Sequence, residues 1–193
     1  MTAQRLTLAC WLSITYAVLT IPYLLIGVFL VKFRFFLVKS GGGLKQVYLL
    51  LMLVTLVLCI FVLSSLKKLL NTRFSFRDTD IFIDILILLN IASTVISVFS
   101  TLFPALKSEE AVVSGVLFLA MGITYGIVYV VFAIKLLRLQ ETMYGMLKPF
   151  AYTTMVEGIC YASIVLVPIA LIASIVSCVI LGNIFMRAAE SSY

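Results

Sequence analysis

Apolar residues run through this chain in five long blocks, at 8–31, 47–66, 81–103, 111–134 and 154–186. Of all the charged residues, Asp84 and Glu157 are the two that fall inside a block. Each block reaches the roughly 20 apolar residues with which a helix crosses about 30 Å of hydrocarbon. A helix also satisfies its own backbone polar groups, which lipid cannot do. The pattern therefore predicts an all-α, polytopic integral membrane helical bundle. It is one domain over residues 1–193, with five transmembrane helices and with four or six as the alternatives.

Details within the blocks refine this picture. The first block follows Arg5 and is too long for the apolar region of a signal peptide, so it reads as an uncleaved span. Pro22 predicts a bend in it. The last block would be about 50 Å long as one helix. It must project, tilt or bend at Pro168, with a re-entrant break there as the alternative. Between the fourth and fifth blocks, residues 136–150 mix charges with Leu, Met, Tyr and Phe, which predicts a partly amphipathic segment along the membrane interface, broken near Gly145 and Pro149.

Composition agrees with the pattern: the chain is 64% hydrophobic with mean hydropathy +1.24, whereas soluble domains are nearer half apolar. The net charge of +6 comes from bases at the block ends. There they meet anionic lipid headgroups, which makes the bilayer rather than nucleic acid the expected partner. An inside N-terminus puts Arg5, Lys67, Lys68, Arg73, Arg77, Lys135, Arg138 and Lys148 inside and the other six bases outside. The margin of two favours a cytoplasmic N-terminus, with the C-terminus opposite.

The chain has no histidine, which removes most zinc sites and all Ser-His or Cys-His catalysis. Its four cysteines lie inside apolar blocks without C-x-x-C spacing and read as small hydrophobes. No cofactor, metal site or catalytic residue is expected. Gly41-Gly42-Gly43-Leu44-Lys45 lacks the phosphate-loop spacing and reads as a turn.

Four features remain as candidates. Asn90, Ser93, Thr94, Ser97 and Thr101 share one face of the third span, either as a helix-packing stripe or as the wall of a polar pathway. Asp84 and Glu157 are possible ion-coupled carboxylates. For Asp84 the competing role is a charge at a helix start. For Glu157 it is the last position of a capping box beginning at Thr154. Gly115, Gly122 and Gly126 form a small-residue face on the fourth span, and Ala170, Ala173, Ser174 and Ser177 form one on the fifth, so the two spans are expected to pack together. Tyr125 and Tyr129 stand one turn apart, suited to core packing or to a pocket for an aromatic or cationic ligand. The other tyrosines read mostly as bilayer anchors.

With no reaction motif and with these small-residue faces, the sequence favours a small non-enzymatic membrane protein. It would be an accessory, assembly or regulatory component packed against another membrane protein or against its own copies. The alternative is a small solute or ion transporter, or a channel, that uses the polar stripe of the third span.

Overall fold

The computed structural model describes residues 2–32, 43–102, 108–139, 143–163 and 166–191. Six helices carry the described chain: α1 (Ala3–Lys32), α2 (Gly43–Arg73), α3 (Asp80–Leu102), α4 (Ser108–Leu136), α5 (Leu147–Ser163) and α6 (Val167–Glu190). Five of them hold segments long and apolar enough to cross a membrane: Ala3–Tyr23, Gln46–Arg73, Asp80–Phe99, Leu119–Leu136 and Pro168–Glu190. The protein is thus a helical bundle of membrane-protein type. α1 runs as one helix through Pro22.

The last apolar block differs from the single long span that its length suggested. It holds two helices, and α6 begins with Pro168 in its first turn, where the missing N–H of proline costs no hydrogen bond. α5 starts seven residues before the block does, at Leu147, directly after a turn in which Met143, Tyr144 and Gly145 all have positive φ. Pro149 opens this helix rather than breaking it. Leu139, Met143, Leu147 and Phe150, from the segment expected along the interface, are buried.

α5 and α6 pack side by side. Glu157 is the neighbour of Ser174, and Phe150, Thr154, Cys178 and Leu181 line one void with them. The two helices are therefore an antiparallel hairpin. With 17 residues, α5 is roughly 25 Å long. Its presence brings the end of α6 back to the end of the bundle where α1 begins. Ser13 on α1 donates to the Cys178 carbonyl of α6 at 2.7 Å, and the Cys10 carbonyl lies near Gly182. Stepping back along α1 thus means stepping forward along α6. The start of α1 and the end of α6 therefore lie at one end of the bundle.

Packing follows a closed circuit: α1 against α2, α2 against α3, and so on to α6, which packs against α1. The interior of this ring is uneven. The main buried cluster draws on the first half of α1 (Leu6, Ala9, Cys10), the last turns of α2 (Leu66, Leu69, Leu70), the start of α3 (Ile83), the end of α4 (Phe132, Leu136) and the end of α6 (Ile184, Phe185, Ala188). All of these belong to one end. There the ring is filled by a dense apolar plug, while the outer faces keep lipid-suited residues such as Leu25, Leu50, Val57, Leu88 and Ile172 exposed.

Candidate functional site

Above the plug, the ring encloses a cavity of about 330 Å³. Every helix contributes to it through positions three, four or seven residues apart, the spacing of one helical face. α1 supplies Tyr16, Thr20 and Tyr23; α2 supplies Met52, Thr55, Leu56 and Cys59. From α3 come Asn90, Ser93 and Thr94, from α4 Met121, Gly122, Tyr125 and Tyr129, from α5 Glu157 and Tyr161, and from α6 Leu171 and Ser174.

Glu157 sits at the floor. It is 3% exposed and is the one buried charged side chain among the described residues. The Ser174 hydroxyl of α6 is its polar neighbour across the same partition. Beneath it lies a second, smaller void of about 60 Å³ that runs toward the plug, bordered by Phe132, Leu66, Phe150 and Leu181. Tyr16, Cys59, Tyr129, Glu157 and Ser174 border both spaces and form the partition between them. A carboxylate buried inside a membrane bundle is costly and marks function by default. This one stands where polar lining gives way to apolar plug.

The capping role expected of Glu157 does not hold. Thr154 lies inside α5, and its hydroxyl donates to the Phe150 carbonyl at 2.8 Å. Because the helix begins at Leu147, Glu157 is three turns into it and faces the ring interior.

The aromatic wall is built around α4 and α5. Tyr125, Tyr129 and Tyr161 form a triangle with all three ring centroids 6.2 Å apart. The rings lie side by side because the backbones beneath them touch. A Cβ placed on Gly126 would stand 2.6 Å from the Gly158 carbonyl oxygen and 2.7 Å from the Ala162 Cβ. Gly122 is looser, with the Tyr161 carbonyl 3.7 Å from an added Cβ. The small-residue face of α4 therefore packs against α5, at Gly158 and Ala162. The residues Ala170, Ala173, Ser174 and Ser177, expected as its partner, belong to α6, which packs against α1 and α5. Gly115 lies within α4, but its surroundings are outside the described residues.

The stripe of α3 divides. Asn90, Ser93 and Thr94 line the cavity, while Ser97 and Thr101 lie further along the helix, with Thr101 donating to the Ser97 carbonyl at 2.7 Å. The Asn90 amide donates to the Leu86 carbonyl of its own helix at 2.8 Å, which leaves its oxygen free to accept. Thr20 and Thr55 similarly donate to carbonyls of their own helices. These three side chains thus present their oxygens to the cavity as acceptors.

Asp84 is elsewhere. It is 58% exposed at the plug end, and Lys67 of α2 donates to both its carboxylate oxygens at 2.7 Å. The two carboxylates singled out in the sequence therefore have different partners and surroundings. Among the described residues, no group of three or more His, Cys, Asp or Glu could hold a metal ion.

Several lining residues escaped the sequence reading. Tyr16, Tyr23 and Tyr161, taken with the bilayer anchors, face the cavity, as do Thr55 and Cys59 of α2. Their signal was present as Tyr16, Thr20 and Tyr23 at offsets of four and seven, and as Glu157 and Tyr161 one turn apart. No protein-family model, curated protein or solved structure matches the chain.

Proposed function

We propose that this protein is a small, non-enzymatic membrane carrier that binds a solute in the cavity at the centre of its helix ring, with Glu157 as the charged contact. One observation carries the reading: all six helices place at least one polar side chain on a single cavity, and the one buried carboxyl side chain of the described residues lies on its floor, against an apolar plug. Transport proteins use such a midplane site with one side closed. An open channel is less consistent with the plug.

The accessory-subunit reading rests on the absence of a reaction motif and on the small-residue faces; at Gly126 one such face is taken up within the chain by Gly158 and is not open there to another protein. Arg5, Lys67, Lys68, Arg73, Arg77, Lys135, Arg138, Lys148 and Arg187, nine of the 14 Lys and Arg residues, belong to the plug end once the hairpin is included. The positive-inside rule then favours a cytoplasmic plug and N-terminus, with the cavity facing the other side.

Cysteine accessibility tests this in proteoliposomes. In a chain with its four cysteines replaced, Thr20→Cys and Thr94→Cys should react with a membrane-impermeant thiol reagent from one side, while Leu69→Cys in the plug should not. If neither cavity position reacts from either side, the carrier reading fails.

A further inference from the structure

We propose that the cavity is selective for a small organic ammonium ion. This deepens the carrier reading and rests on it. Five of the nine tyrosines of the chain, Tyr16, Tyr23, Tyr125, Tyr129 and Tyr161, line this one space with Glu157 among them. An aromatic ring face carries negative electrostatic potential, and a cation over it within about 6 Å is stabilised, most of all where water is excluded. Three of these rings are already held side by side at 6.2 Å between centroids, so little ordering is needed on binding.

Charge sets the sign of the ligand. The described lining holds one carboxylate and neither lysine nor arginine. Its other polar groups are phenols, hydroxyls, an amide and a thiol, which are uncharged at pH 7 at their ordinary values. An anion would meet Glu157 without a compensating cation. With a neutral solute the acid would stay buried among uncharged groups and hold a proton, since an unpaired buried charge is expensive. A cation supplies what the floor lacks.

Chemistry then separates an organic cation from a metal ion. Ca²⁺ requires six or more oxygen ligands, and Mg²⁺ requires a near-octahedral set. Here a single carboxylate stands among uncharged rings, hydroxyls, an amide and methionines, and no group of three or more His, Cys, Asp or Glu that could hold a metal ion occurs among the described residues. Alkyl groups on a nitrogen, in contrast, spread the positive charge over an apolar surface that fits Tyr faces and the side chains of Met52, Met121 and Leu171. A volume of about 330 Å³ lies at the small end of ligand pockets, which points to a compact ammonium compound.

The test is calorimetric titration of the full-length protein in mild detergent with choline, tetramethylammonium and tetraethylammonium. The neutral isostere of choline, 3,3-dimethylbutan-1-ol, and sodium chloride serve as comparisons. At least one ammonium ion should bind roughly tenfold or more tightly than the neutral isostere. Glu157→Gln should erase that ratio. Tyr161→Phe should preserve it and Tyr161→Leu should reduce it, a pair that keeps the question decidable if Glu157→Gln fails to fold. Equal affinity for choline and its isostere, or no binding of any ammonium probe, overturns the inference. Cavity cysteines that react from one side, together with either of those results, leave the carrier reading standing without its cation. Cysteines that never react remove both.

Discussion

Gly126 of α4 and Gly158 of α5 meet backbone to backbone, each placing its carbonyl oxygen where a Cβ on the other would need to be, at 2.6 and 2.7 Å. The nearest obstructing atoms are main chain, so neither helix can yield by turning a side chain. Gly126→Ala must push the helices apart, and overpacking of this kind costs about 1–3 kcal/mol. Gly122→Ala meets ordinary contact at 3.7 Å and should cost little. Thermal unfolding in detergent should therefore lower the midpoint for Gly126→Ala and Gly158→Ala but not for Gly122→Ala. Equal effects at Gly122 and Gly126 would show that the crossing relaxes freely.

Two serines on α6, one turn apart, should respond in opposite ways. Ser174 is the polar neighbour of Glu157 at the cavity floor, and Ser174→Ala should destabilise by about 1–3 kcal/mol because a buried carboxyl group loses a polar partner. The Ser177 hydroxyl is buried with no hydrogen-bond partner among the described residues. Ser177→Ala removes an unmatched polar group and should be neutral or stabilising by about 1 kcal/mol. Denaturation midpoints of the two variants check the sign. A larger loss at Ser177 would mean that its hydroxyl has a partner in the membrane.

The membrane class and most helix positions were legible because apolar length alone fixes them. The third span, read from residue 81 to 103, and the helix Asp80–Leu102 agree almost residue for residue. The α5–α6 division was not legible in the same way. Residues 164–166 are as apolar as their flanks, so hydropathy is blind to the division, and Pro168 allows either a kink or a helix start. Three residues of the α3 stripe proved to line the cavity, but their offsets alone could not distinguish a packed face from a hollow one. The distinction depends on the facing helices, where Tyr16, Tyr129 and Tyr161 leave space that smaller lipid-facing residues would not bound. Glu157 was visible as a charge, yet Thr154 three residues earlier imitated a cap. The start of α5 at Leu147 resolves that ambiguity.

Asp84 and Glu157 provide an internal contrast. The Lys67–Asp84 pair is largely exposed, at 30% and 58% for the two side chains, and pairs of this kind contribute about 0–1 kcal/mol. Asp84→Asn should leave ammonium binding and the unfolding midpoint nearly unchanged, and high salt should not alter that result. Glu157→Gln should abolish the ammonium preference under the same conditions. If Asp84→Asn reduced binding as much as Glu157→Gln, the cavity would not be the only seat of the charge effect.

The plug end is tied off by a small polar knot, which should act on stability without touching the cavity. Arg187 of α6 donates to the Tyr144 carbonyl at 2.7 Å. Arg73 of α2 donates to the Ala188 carbonyl and to the Ser191 hydroxyl, and the Tyr144 ring meets Phe74 edge-on at 6.2 Å. Tyr144 holds φ at +59°, a left-handed conformation that costs a non-glycine residue roughly 1–2 kcal/mol. That conformation persists because contacts from two helices hold it. Arg187→Ala removes the donor to the strained turn, so the amide of Met146, which donates to the Met143 carbonyl, should exchange its hydrogen faster. The expected destabilisation is about 1 kcal/mol for a solvent-exposed, charge-assisted bond. Labelling of cavity cysteines and ammonium affinity should stay at their original values. Unchanged exchange at Met146 would show that Phe74 and Ser191, whose hydroxyl lies 3.2 Å from the Tyr144 phenol, hold the turn without Arg187. A change in ammonium affinity would show that the plug end and the cavity floor move together.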